Sequence, residues 1–421
     1  MSETDRLWDE LDITFSRWGL AEIPFSESAA TLRQAQLREV FTGRTQELKE
    51  ALALFRARER KRLLIYGWYG IGKTAFILEL LGVLRRKAKD TLATYISLPR
   101  EATDLATFAL VALALQMEDD EWAQHQLNQM GLRPRKRLIK KKGKGKVGVS
   151  AIGVEIEEEP VPTTPPQFPT LSFEDLLERA LKRYTRVVIA IDDLDKQDPA
   201  RVHEMLRSAQ GMLKGGASFI LTGQPAGLTR DILTRDLGLF DLPIELRPLD
   251  QSTTYRMLIN YLNSARPKET RRDPDDLRAV HPFTPEAARI LCEHSDGVPR
   301  YLNRLGTYVL LKAAELQADL INADVLRQGL EYADRQLRGQ KGLTPEDYYM
   351  LDLVLEKGVL SDATATLEDL EWLKIKEFNE IMPILEKLVQ LDLLRRLPTE
   401  RAAEFGPSPM LLGKCEKSEG I

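Results

Sequence analysis

Residues 61–75 read KRLLIYGWYGIGKTA. Leu63 to Tyr66 makes a short apolar strand that runs into Gly67-Trp68-Tyr69-Gly70-Ile71-Gly72-Lys73-Thr74. This segment fits G-x-x-x-x-G-K-[ST], the loop that wraps nucleotide phosphates. Its glycines let the backbone turn tightly, so consecutive N–H groups point at anionic oxygens. An apolar-faced helix follows from Ala75 to Leu84, and its positive end adds to the anion site. Gly67, Gly70, Ile71, Gly72, Lys73, Thr74 and Ala75 are therefore the expected phosphate-binding set. Lys73 reaches the β- and γ-phosphates, and the Thr74 hydroxyl ligates Mg²⁺. A glycine-rich turn with a chance Lys-Thr would not also place strand, loop and helix in this order.

The remaining composition narrows the class. The 421 residues suggest two or three domains, and 43% hydrophobic with 29% charged residues is an ordinary globular balance. A net charge of −4 excludes a general polycation. Cys292 and Cys415 stand far apart, which gives neither a disulfide framework nor a metal cluster. His125, His203, His281 and His294 are scattered and read as structural or surface groups. The acidic start MSETDRLWDE has no signal-peptide core. The longest apolar run, Leu105 to Met117, suits a buried helix and is too short to span a bilayer. A soluble, cytoplasmic protein without membrane contact is the expectation.

Outward from the loop, the anchors Trp8, Phe15, Trp18, Pro24 and Phe25 predict a segment packed on the nucleotide domain. Phe41-Thr42-Gly43-Arg44 precedes a helix reaching about Arg58. Thr91 to Leu98 reads as a strand and Asp104 to Met117 as a helix. Residues 133–146, RPRKRLIKKKGKGK, hold nine Lys or Arg and no acid. Val147 to Ile156 alternates like a hairpin arm, and Pro160 to Pro169 is proline-rich. A helix is expected over Phe173 to Tyr184. Arg186 to Asp193, RVVIAIDD, reads as a strand buried on both faces of a parallel sheet. A helix over Pro199 to Leu213, a strand over Ala217 to Thr222 and a last strand from Ile244 complete a parallel α/β sheet. From Ser252 the pattern is helical. Thr344 to Leu397 suggests three helices and a wing strand, with a loose tail from residue 402.

Asp192 and Asp193 stand at the end of a buried strand, where a P-loop ATPase needs one acid for Mg²⁺ and one to polarise water. We assign Asp192 to the metal and Asp193 to the water; the plainer alternative is that they cap the next helix. Thr222, or else Gln224, is placed to sense the γ-phosphate. Arg230 or Arg235 is a candidate arginine finger, with Arg235 preferred. Gly297-Val298-Pro299-Arg300 opens a helix from which Arg300 can close over the phosphates.

Together F-x-G-R, the phosphate loop, h-h-D-D, a threonine-ended strand and G-V-P-R resemble the AAA+ ATPases. Within them the chain is similar to the initiator and origin-recognition clade and to bacterial transposition-regulator ATPases, and it shares features with STAND ATPases. The resemblance spans roughly residues 23–397. It implies that Phe41, Gly43 and Arg44 lie near adenine, that Arg300 is the sensor-2 arginine, and that ATP sits at a seam between subunits of a homo-oligomer. It divides the chain into a packing segment (1–40), an AAA+ core (41–250, with a basic and proline-rich insertion at 133–169), a helical lid (251–342), a winged-helix-like domain (343–400) and a tail (401–421). Many relatives carry Asp-Glu where this chain has Asp192-Asp193. The shorter acid implies slow hydrolysis of ATP to ADP and phosphate, which suits a switch.

Two features bear on partners. The basic run 133–146 is able to neutralise phosphates of double-stranded DNA, and its plainer alternative is a solvated loop balanced by Glu155 to Glu159. Thr344 to Gln390 holds eleven acids and four Lys, which argues for a protein partner rather than a base reader. The expectation is an ATP-dependent assembly switch that oligomerises on DNA and recruits a partner machine. The alternative is a STAND-like signalling ATPase in anti-phage defence, acting through a separate effector. A chaperone-like remodeller is weaker, because no aromatic pore-loop motif stands out.

Overall fold

The computed structural model of the chain describes residues 2–26, 34–57, 59–68, 70–100, 102–132, 167–194, 199–223, 238–339, 342–371, 373, 375, 377–397 and 403–411. In chain order these form α1 (Glu3–Trp18), α2 (Gln34–Val40), α3 (Thr45–Leu54), β1 (Arg62–Tyr66), α4 (Lys73–Lys87), β2 (Thr91–Ser97), α5 (Leu105–Ala114), α6 (Glu121–Gln129), α7 (Pro169–Leu181), β3 (Arg186–Asp192), α8 (Pro199–Ser208), α9 (Gln210–Leu213), β4 (Ser218–Gly223) and β5 (Leu242–Glu245). They continue as α10 (Gln251–Ser264), α11 (Pro285–His294), α12 (Pro299–Glu315), α13 (Ala323–Arg338), α14 (Pro345–Lys357), α15 (Leu367–Glu371), α16 (Met382–Gln390), β6 (Leu394–Leu397) and β7 (Glu404–Pro407). Two compact units result. One comprises Gln46–Gly67 and Leu80–Glu245; the other comprises Met1–Thr45, Trp68–Glu79 and Leu246–Ile421.

The first unit is an α/β sheet. Its five strands are all parallel, in the order β2-β3-β4-β1-β5. The parallel sheet read from RVVIAIDD is thus present, and β3 explains why the run is continuous. Val187, Ile189 and Ile191 enter a core cluster with Leu110 of α5 and Phe173 and Leu176 of α7. Val188 and Ala190 are also fully buried, and strand alternation puts them on the opposite face. A strand covered on both sides has no position left for a polar side chain until its end.

Several boundaries differ from expectation. α3 stops at Leu54 instead of Arg58. α7 begins at Pro169, because proline's fixed φ suits a first helical position. The helix expected over 199–213 is two helices that break at Ala209. α6 was not anticipated; Asp120 caps it by accepting from the N–H groups of Trp122 and Ala123, both at 3.1 Å. The basic run, the hairpin arm and most of the proline-rich stretch lie outside the described residues.

The second unit is helical. Of the N-terminal anchors expected to pack on the nucleotide domain, Trp18 and Phe25 meet Ala318, Tyr261 and Gly306 of this helical unit. Trp18 is fully buried, its Nε1–H donates to the Ala318 carbonyl at 2.9 Å, and Arg17 pairs with Asp319. Phe25 stacks edge-on with Tyr261 at 6.0 Å and lies against Gly306 of α12 so closely that a Cβ there would be 2.4 Å from the ring. An aromatic anchor reads the same in sequence whichever apolar surface receives it.

The C-terminal part of this unit holds α14, α15, a 3-10 turn at Phe378–Ile381, α16 and the antiparallel hairpin β6-β7. The tail expected to be loose from residue 402 is therefore folded through Leu411. Phe405 is fully buried, Met410 and Leu411 are buried, and the Leu360 N–H donates to the Phe405 carbonyl at 2.8 Å. Among the described residues no helix is long and apolar enough to cross a membrane.

Candidate nucleotide site

The phosphate loop departs from β1 through Gly67, whose N–H donates to the Gly223 carbonyl at 3.3 Å. Beyond it Gly70 and Gly72 take left-handed backbones, φ 78 and 98, which side chains rarely adopt. At Gly70 a Cβ would also stand 2.8 Å from the Cβ of Arg300. Glycine is thus required there twice, for the turn and for the close approach. Ile71, between these glycines, is 1% exposed. α4 begins at Lys73, so Thr74 and Ala75 fall in its first turn, where unpaired N–H groups and the dipole favour anions. Lys73 is 8% exposed, and its Nζ donates to the Trp68 carbonyl at 3.4 Å.

The F-x-G-R segment stands beside this loop. The Arg44 guanidinium donates to the Ile71 carbonyl at 3.4 Å, and the rings of Phe41 and Phe76 are 6.4 Å apart. Gly43 and Arg44 both have positive φ, 72 and 60, and a Cβ on Gly43 would stand 2.7 Å from Thr253. Arg300 also belongs here. Its N–H donates to the Gly70 carbonyl at 3.3 Å, while its Nε donates to Asp392 Oδ2 at 3.0 Å. Arg304, one turn further along α12, donates to the same oxygen at 2.7 Å. Asp392 is 1% exposed and left-handed, φ 60. Two arginines converging on one buried carboxylate were not foreseen from the sequence.

The acids stand in the sheet unit, at the ends of its central strands. Asp192 is 1% exposed. Its Oδ1 accepts from the Thr222 hydroxyl and from the Asp193 N–H, the latter at 2.9 Å, and its Oδ2 accepts from the Tyr95 hydroxyl at 3.0 Å. Asp193 turns the chain with φ 65, and its N–H also donates to Thr222 Oγ1 at 3.1 Å. Its carboxylate accepts from the Ser97 hydroxyl. Burial, together with the two neighbouring carboxylates, pushes the Tyr95 phenol far above its ordinary range, so it remains a donor. Asp192, Asp193 and Thr222 are brought together in the structure, which adds Tyr95 and Ser97. Strand alternation sets those two on one face of β2, and the β2–β3 register pairs Ser97 with Asp192.

Arg235, Arg230 and Gln224 lie outside the described residues. The donor set fits Mg²⁺, a hard cation held by one or two carboxylates and hydroxyl oxygens beside substrate phosphates. A buried carboxylate already oriented by hydroxyl donors suits that demand for fixed geometry.

Residues 40–220 match the model of the AAA ATPase domain. No curated protein matches the chain. Among solved structures the chain is similar to the Aeropyrum pernix ORC1 protein in complex with DNA, at 14% identity over 88% of this chain and 91% of that one, with a TM-score of 0.47. It is similar to the Thermotoga maritima RuvB Holliday junction branch migration motor at 16% identity, over 90% and 94%, TM-score 0.43. A Walker-type ATPase of Pyrococcus abyssi matches at 14% identity, over 89% and 95%, TM-score 0.48. Likeness at this level carries no argument about fold or function. The phosphate loop after β1 and the two acids at the end of β3 fall within the stretch, residues 40–220, that matches the AAA ATPase domain.

Proposed function

We propose that the chain binds Mg·ATP and hydrolyses it slowly to ADP and phosphate, as a switch that controls assembly. The loop around Gly70 and Gly72 receives the phosphates, Lys73 reaches the β- and γ-oxygens, and Phe41, Gly43 and Arg44 hold the base side. Thr74 and Asp192 hold the Mg²⁺. A bound Mg²⁺ supplies charge neutralisation to the β- and γ-phosphates. Thr222 orients the reacting end and Asp193 polarises the attacking water. Arg300 senses the γ-phosphate, and Arg235 serves a neighbouring subunit as finger.

The observation that carries the slow rate is the Ser97 hydroxyl on the Asp193 carboxylate. That contact tethers the carboxylate to the end of β2, and aspartate is already the shorter acid. The partner reading rests on charge. The basic run 133–146 supports contact with double-stranded DNA by a homo-oligomer. Arg395 and Arg396, the basic residues near the wing, are paired with Asp296 and Glu386, which supports a winged-helix-like module that meets a protein instead of bases.

A second reading, the STAND-like signalling ATPase, is favoured by one contact. Asp392 of the C-terminal part engages Arg300 beside the phosphate loop, a link through which a closed state could be held. Equilibrium binding of a fluorescent ATP analogue and single-turnover phosphate release test the nucleotide assignment. Lys73→Ala should abolish binding, and unaltered affinity would refute it. Many turnovers per second in the wild type would overturn the switch.

A further inference from the structure

Asp192 is gripped from two strands. Thr222 on β4 donates to Oδ1, and Tyr95 on β2 donates to Oδ2 at 3.0 Å. The carboxylate is 1% exposed and its strand runs straight into the buried core, so its plane is set by these donors and not by water. The β2 strand addresses both acids separately: Ser97 takes Asp193 and Tyr95 takes Asp192. A phenylalanine at position 95 would fill the same volume without the hydroxyl.

We propose that Tyr95 is a positioning residue for Asp192, its hydroxyl fixing the carboxylate in the orientation that holds Mg²⁺ beside the nucleotide. This deepens the nucleotide reading above and rests on it. The plainer account is that a half-buried phenol has simply found an acceptor. The two accounts differ in what removal of the hydroxyl does. Loss of a group that orients a metal ligand typically weakens metal binding by roughly 10- to 100-fold. Loss of an incidental hydrogen bond leaves metal binding unchanged.

The test uses the full chain and Tyr95→Phe. The affinity of a fluorescent ATP analogue is measured in excess EDTA and in saturating Mg²⁺, and the Mg²⁺ half-saturation point is titrated at fixed nucleotide. Affinity in EDTA should stay that of the wild type, and the Mg²⁺ half-point should rise roughly tenfold. In an Asp192→Asn background the same substitution should add nothing, because Tyr95 acts only through that carboxylate. A wild-type Mg²⁺ titration in Tyr95→Phe overturns the proposal, and so does a full effect persisting in the Asp192→Asn background. A general loss of fold would weaken both the EDTA and the Mg²⁺ arms, which also counts against it. If the wild type binds no nucleotide in either condition, the nucleotide reading itself fails, a result separate from the others.

Discussion

Asp392 keeps a left-handed backbone, φ 60, while buried between Arg300 and Arg304. Asp and Asn tolerate that conformation because their short side chains bond locally. Asp392→Asn therefore removes the charge and little else. Two guanidiniums, 25% and 15% exposed, would then lose the carboxylate they share. Breaking a buried pair costs about 3–5 kcal/mol, and the partial exposure of the arginines lowers the expectation to about 2–3 kcal/mol. Urea unfolding of the variant should show this loss. Asp392→Ala should lose more, since alanine also resists positive φ. A midpoint equal to the wild type for Asp392→Asn would mean that the triad contributes nothing.

α10 shows how one cap couples an element to pH. Asp250 accepts from the hydroxyls of Ser252 and Thr253, each at 2.6 Å, and from the Thr253 N–H at 2.9 Å. The Ser252 hydroxyl first, and then Thr253, hold its carboxyl far below the usual carboxylate range. A folded pKa below the unfolded value near ~3.9 gives stabilisation that is complete above that pH and is lost as pH falls through the folded pKa. Asp250→Asn keeps a capping oxygen but not the titration. The difference in urea midpoints between wild type and variant should hold from neutrality down to about pH 4 and shrink as the pH is lowered further toward the folded pKa. A constant difference would exclude the cap as its source. Elements also mark the limit of legibility. The β1–loop–α4 unit and β3 are readable because glycine φ and two-sided burial leave local traces. Tyr95 meets Asp192 only through sheet pairing 97 residues apart, and Asp392 meets Arg300 across 92. No local pattern records such distances. β7 is four residues long and includes Gly406 and Pro407, both disfavoured in strands, and only its pairing with β6 reveals it.

At the scale of the whole molecule, the net charge of −4 conceals a run of nine Lys or Arg within 133–146. If this run contacts duplex DNA, affinity should fall with salt at a slope of about −0.9 per phosphate neutralised. Replacing Lys140, Lys141 and Lys142 with Ser should flatten that slope by about 3 in fluorescence anisotropy titrations from about 50 to about 200 mM salt, with the ATP analogue present. No binding at low salt, or an unchanged slope, would remove DNA from the proposal. The position of Phe25 has a practical consequence as well. The match to the AAA ATPase domain starts at residue 40, yet Phe25 occupies a hollow on α12 that Gly306 leaves open, and Trp18 closes over Ala318 nearby. Cutting the chain at the domain's apparent edge would strip both aromatic plugs and leave a greasy socket facing water. Such a shortened protein should be harvested as aggregate, and insolubility would then report on where the cut was made and not on whether the ATPase can fold.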